Sequence, residues 1–251
     1  MRPPPLVLRL ILAAIALIPL LSCASAPRHE PTPARGLDSR VILVLPFNVT
    51  DGMPSELESR SPIVWKELER YLREQGKQLK TVSWQAARAL WVRSVRKVRS
   101  EEGGDQAGYD DAARALAREL RSHAEFDTMI APSLFLREAR ISSHSAHWDG
   151  VERELEIEAL GGAARALAGA PLEGAAPAAS IHVAAFDAQG DKLHEARGGL
   201  ELLVRVWAET RQPSGEPTFR FATRTDLFEN RSHVREGIDT AFVPFLPPLA
   251  E

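Results

Sequence analysis

Apolar and polar positions follow two rhythms along this chain, and the changes between them mark its elements. Residues 41–45, VILVL, form a continuous apolar run rich in β-branched side chains. That is the pattern of a strand buried on both faces. Pro46 ends it, and Asp51-Gly52 is a turn pair. From 62 to 75 the spacing becomes three and four. Val64, Leu68, Tyr71 and Leu72 share one stripe, Pro62 suits the first helical turn, and Gly76 suits the stop. Residues 77–82 predict a second strand, and Ser83 can cap a helix carrying Trp84, Ala87, Trp91, Val95 and Val98 at helical spacing. EEGGDQAG at 101–108 breaks the pattern before a third helix marked by Tyr109, Ala113, Leu116 and Leu120.

From Phe126 the strand rhythm returns. Residues 126–141 predict a strand bent or interrupted near Pro132. In VERELEIEAL (151–160), Val151, Arg153, Leu155 and Ile157 take one face and Glu152, Glu154, Glu156 and Glu158 the other. Residues 161–178 are rich in Gly, Ala and Pro and read as a loose excursion. Residues 180–209 predict a hairpin turning at Asp187–Asp191, with a bulge at Gly198-Gly199, and TFRFATRT (218–225) predicts an edge strand. A final helix runs from about Arg231 to Phe242 and stops at the prolines of PFLPPL. The expected fold class is α/β (α+β): one domain with a mixed sheet packed by amphipathic helices. No internal repeat is visible.

The composition, with 44% hydrophobic and 26% charged residues in 251, is that of a globular chain able to bury its own core. The formal net charge is −3, which argues against general nucleic-acid binding. A single cysteine, Cys23, excludes an internal disulfide and zinc sites built on paired cysteines.

That cysteine follows a positive start (Arg2, Arg9) and a short apolar stretch at 10–21. The stretch is shorter than the ~20 residues of a spanning helix and has the layout of a secretory signal. Leu20-Leu21-Ser22-Cys23 resembles the lipobox of bacterial lipoproteins. The resemblance implies a signal peptide over 1–22, a diacylglyceryl group on the Cys23 sulfur, and acylation of the new amino terminus. Membrane attachment would then run through the lipid on Cys23. Ala24 stands where an aspartate commonly retains such proteins in the inner membrane, so the resemblance favours the outer membrane, facing the periplasm. Residues 23–38, with Pro27, Pro31 and Pro33, read as an extended tether, leaving 39–251 as the periplasmic domain.

Three stretches carry a second resemblance: VILVLPFNVTDG, FDTMIAPSLFLREARI and SIHVAAFDAQGDKLHEARGGLEL. They are similar to envelope lipoproteins sharing the α/β fold of the TolB N-terminal domain, CsgG and LpoB. The likeness spans about residues 40–205. It implies a non-enzymatic domain that binds other envelope proteins. A CsgG-like pore would need lipid-facing hairpins, and His182, His194 and Glu201 suit water better than lipid.

Few constellations suggest chemistry. His144 and His147 precede Trp148-Asp149, but the segment reads as a loop and lacks the glutamate of H-E-x-x-H, so no metal is expected. The glutamate face of 152–158 is a flat row, unlike the converging oxygens a hard cation needs. No G-x-S-x-G or phosphate loop is present, and no cofactor or catalytic residue is assigned. Trp65, Trp84 and Trp91 fall at helical positions and are expected in the core. Arg88, Arg93, Arg96, Lys97 and Arg99 make one helix basic, a solvated face or a surface for an acidic partner or anionic headgroups. The expected function is a lipid-anchored adaptor that recruits or regulates another envelope protein. A homo-oligomeric secretion or scaffold component is the alternative.

Overall fold

The apolar run becomes β1 (Val41–Val44), and its side chains alternate between two cores. Ile42 and Val44 enter one, Leu43 and Leu45 the other. β1 pairs in parallel with β2 (Gln78–Thr81) on one side and with the start of β3 (Thr128–Ser143) on the other. The connections cover opposite faces. α1 (Ser55–Glu58) and α2 (Ser61–Glu74) lie between β1 and β2 and pack on the Ile42 side. α3 (Trp84–Glu102) and α4 (Tyr109–Arg121) lie between β2 and β3 and pack on the Leu43 side. This computed structural model describes residues 38–102, 108–160, 172–209 and 218–247. The expected signal segment, Cys23 and the expected tether up to residue 37 lie outside the described residues.

β7 (Leu172–Asp187) runs antiparallel to β3 over sixteen paired positions, and β8 (Lys192–Leu202) follows in a hairpin. Beyond the far end of β3, β4 (Ser145–Trp148) and β5 (Val151–Glu154) complete a seven-stranded mixed sheet. β6 (Ile157–Leu160), β9 (Val204–Glu209) and β10 (Thr218–Thr223) form a separate three-stranded sheet. α5 (Arg231–Phe242) returns to the Ile42 side, where Val234, Ile238, Ala241 and Phe242 join Leu68, Tyr71 and Leu72 of α2.

Local signals place most of these elements. Pro62 sits in the first turn of α2, and Gly76 at φ 73° ends it. Ser83 Oγ accepts the Ala86 N–H at 3.3 Å at the start of α3. The core holds Trp91, but Trp84 is 52% exposed because it occupies the first position of α3, outside the packed stripe.

Four expectations need correction. β3 is not interrupted at Pro132, whose carbonyl accepts the Asn48 N–H at 3.2 Å. Carbonyl and nitrogen of a strand residue face the same neighbour, so the missing N–H points where β1 pairing has already ended. The stretch 172–178 is paired strand rather than excursion; 161–171 fall outside the described residues. VERELEIEAL keeps its alternation but divides between two sheets. The His144–His147 segment is a turn followed by β4, with a tight Asp149-Gly150 turn at positive φ leading into β5.

The glycine pair of β8 has a further role. The register shift lies beside it, between Ser180–Gly199 and Ala179–Glu201, as the sequence suggested. A Cβ on Gly198 would stand 1.8 Å from the Gly237 carbonyl oxygen, and one on Gly237 would stand 2.2 Å from that of Gly199. The three glycines let α5 rest directly on the β8 backbone.

Candidate functional site

The loop that leaves β1, residues 46–54, is built around Asn48. This residue is buried and takes a left-handed φ of 56°, which asparagine tolerates better than most. Its side chain behaves as a strand residue would. Oδ1 accepts the Leu134 N–H at 2.9 Å, and Nδ2 donates to the Leu134 carbonyl at 2.9 Å. Nδ2 also donates to Gly52 O at 3.2 Å. From the other side, Arg88 Nη1 donates to Val49 O at 2.5 Å and Thr50 O at 3.1 Å. The loop is therefore fixed as a wall at the carboxyl ends of the parallel strands, with a cavity on each side.

One cavity, of about 700 Å³, lies between this loop and the middle of β3. The chain reverses its winding direction here, since β1 leads to β2 on one side and pairs with β3 on the other. Open α/β sheets bind ligands at such a switch point, outside the carboxyl ends of the strands. Ser133, Phe135, His182 and Arg197 line the sheet side of the cavity, and Tyr109 and Asp110 come from the start of α4. A chain of charged contacts crosses it. Lys192 Nζ donates to Asp110 and to Glu195, each at 2.8 Å, and His182 Nε2 stands 3.1 Å from Glu195. The two carboxylates raise the Lys192 ammonium above its usual range, and the Lys192 bond lowers the Glu195 carboxyl. Burial pushes the Tyr109 hydroxyl up.

The other cavity, of about 900 Å³, lies toward β2 and holds Trp65, Trp84, Met53 and Pro62 with Glu58 and Glu69. Trp65 meets Phe47 edge-on at 5.5 Å between ring centroids.

The basic residues of α3 separate into two groups. Arg88 is spent on the loop carbonyls and is only partly exposed. Arg93 pairs with Glu119 at 2.8 Å. Arg93, Arg96 and Lys97 line a groove between α3 and α4, joined by Arg114 and Arg118 of α4, whereas Arg99 is exposed on the same helix. Sequence reading misses the α4 arginines because the i,i+4 pattern of one helix does not reveal what the next helix adds.

Elsewhere, His144 and His147 are exposed, and His147 stands 3.7 Å from Glu152. Among the described residues no group of three or more His, Cys, Asp or Glu could hold a metal ion. Within the glutamate face, Glu156 meets Arg205 and Arg224 at 3.2 and 3.0 Å. Sequence reading does not single out the switch-point site either. Its signal is a pair of lone polar residues, Ser133 and His182, inside apolar strand runs.

No family model matches this chain, and no curated protein matches it. Among solved structures it is similar to a putative neuraminyllactose-binding hemagglutinin homolog from Helicobacter pylori, at 9% identity and a TM-score of 0.31. The match covers 84% of this chain and 86% of that one.

Proposed function

We propose that this chain is a lipid-anchored binding module of the bacterial cell envelope. Attached through Cys23 to the outer membrane and facing the periplasm, it recruits or regulates another envelope protein and catalyses no reaction. The observation that carries this reading is the groove between α3 and α4. Among the described residues, five cationic side chains face two carboxylates there, on a chain whose formal net charge is −3. Such local excess speeds and orients encounter with an acidic surface. An acidic segment of a partner protein is the occupant this charge fits.

In-cell crosslinking of the tagged chain, followed by mass spectrometry, tests it. A distinct partner is expected in the wild type and lost in R96S/K97S/R99S. A partner retained by that variant rejects the groove, and crosslinks to lipid alone replace the protein partner with the membrane surface. Cys23→Ser should release the chain from the membrane fraction.

A second reading rests on β10. Among the described residues it pairs with β9 alone, and its Phe221 is half exposed. An unpaired edge of this kind can take a strand from a second copy. Self-crosslinks through 218–223 with no other partner would favour a homo-oligomeric scaffold.

A further inference from the structure

Among the described residues, the Leu43 side of the sheet is covered at both ends and open between. β3 has sixteen residues, about 53 Å at strand rise, whereas the thirteen residues of α4 span about 20 Å. The helices cover Met129 and Ala131. A second cluster containing Ala139, Trp148 and Ala176 covers the far part. The gap between them is the floor of the switch-point cavity.

One rung of the sheet crosses that floor. Ser133 of β3 stands opposite His182 of β7, and His182 stands opposite Arg197 of β8. Residues paired in this way share a face with their Cβ atoms roughly 5 Å apart. The Ser133 hydroxyl and the Arg197 guanidinium, both donors, thus flank an imidazole whose Nε2–H donates to Glu195. The Arg197 guanidinium rests over the Phe135 ring, 5.7 Å from its centroid, and forms no ion pair among the described residues. Lys192, the other cation of the cavity, is matched twice.

The loop wall carries the complementary imbalance. Asp51 accepts from the Thr50 hydroxyl at 3.1 Å and forms no ion pair among the described residues. Asp110 has Lys192, Asp111 has Arg114 at 2.9 Å, and Glu195 has Lys192 and His182. The cavity therefore presents one unmatched positive and one unmatched negative side chain. Asn48 and Arg88 hold the wall in place, so little ordering is needed on binding.

We propose that this cavity binds a small zwitterion, a short peptide with free amino and carboxyl ends. Its carboxylate lies on the Ser133–His182–Arg197 rung, where the Arg197 fork gives a bidentate pair. Its ammonium meets Asp51. The side chains rest against Phe135 and Tyr109. A volume of about 700 Å³ lies within the usual range for small-ligand sites and has room for more than one amino acid. This site adjoins the α3–α4 groove at Asp111, and the proposal does not depend on that groove.

Calorimetric titration of the full chain in detergent tests the assignment. The probes are L-alanyl-L-alanine, its N-acetyl derivative and its C-terminal amide. The unblocked dipeptide should bind at least about tenfold tighter than either blocked form, each of which lacks one charge-assisted contact. Arg197→Gln should weaken the dipeptide by about tenfold and leave the amide unchanged. Asp51→Asn should weaken the dipeptide similarly and leave the acetylated form unchanged. Both side chains are exposed, and circular dichroism checks that the variants fold. Absence of dipeptide binding at millimolar concentration, equal binding of the blocked forms, or indifference to Arg197→Gln overturns the proposal. Displacement of the dipeptide by inorganic phosphate at equal strength also overturns it, by marking a plain anion site. None of these results bears on crosslinking through α3.

Discussion

The side-chain amide of Asn48 closes both backbone hydrogen bonds of Leu134, substituting for the strand residue that β1 no longer supplies. Asn48→Ala strands a buried N–H and a buried carbonyl, and should lower unfolding free energy by about 2–4 kcal/mol. Asn48→Gly loses the same bonds but relieves the left-handed φ, and should cost about 1 kcal/mol less than alanine. Urea unfolding of the two variants gives the order. Equal stabilities would mean the conformation carries no strain.

The glycine seat of α5 predicts a sharp contrast. Gly237→Ala places a methyl group 2.2 Å from the Gly199 carbonyl oxygen, so helix and strand must separate. A loss of about 3 kcal/mol or more is expected, in the upper range for single substitutions. A Cβ on Gly52 would meet nothing within 4 Å, and Gly52→Ala should change stability by less than about 0.5 kcal/mol. Thermal unfolding of both variants separates close approach from a general intolerance of alanine.

Glu201 is the buried carboxylate of the second sheet's border. Its Oε2 accepts the Phe228 N–H at 2.5 Å, and Oε1 stands 3.4 Å from Arg224. Burial raises its pKa despite both contacts. Glu201→Gln keeps an acceptor for Phe228 and should be milder than Glu201→Ala, which leaves that N–H unpaired at a cost of about 1–3 kcal/mol. Denaturation midpoints of the two variants check the order.

Acid should loosen α5. His194 Nε2–H donates to the Ala241 carbonyl at 2.7 Å, and its ring stacks on Phe245. Burial lowers its pKa, with the Ala241 carbonyl and Glu195 acting against the shift and His182 with it. Burial also lowers His233, helped by Arg153 and Arg224 and opposed by Glu236 and Glu156. A histidine depressed in the folded state contributes full stability above its unfolded pKa, about 6.5. That contribution is lost as pH falls toward the folded value. Unfolding midpoints should drop between about pH 7 and pH 5, and less steeply in H194F/H233N. An unchanged slope would assign the acid response to other groups.

Sequence patterns make the first half of the fold legible because each element there declares itself locally. Val41–Leu45, the α2 stripe and the Ser83 cap need no distant partner to be recognised. The second half depends on long-range pairing. Ala175, Ala176 and Ala178 have low strand propensity and become strand only because β3 supplies sixteen partners. Leu155 and Glu156 sit inside an unbroken alternation, and nothing local marks the passage from one sheet to the other. The candidate sites divide in the same way. The α3 arginines are contiguous enough to notice, whereas Ser133, His182 and Arg197 belong to three strands and meet only through their register.

The dependence of the Ile42-side core on α5 also sets an order of events during synthesis. Val234, Ile238, Ala241 and Phe242 belong to the last described helix, yet they close a core begun by Ile42 and Val44. A nascent chain from which α5 has not yet emerged cannot finish this core. Its completion therefore waits until Phe242 is released, long after Ile42, and the intervening polypeptide stays pliable over that interval.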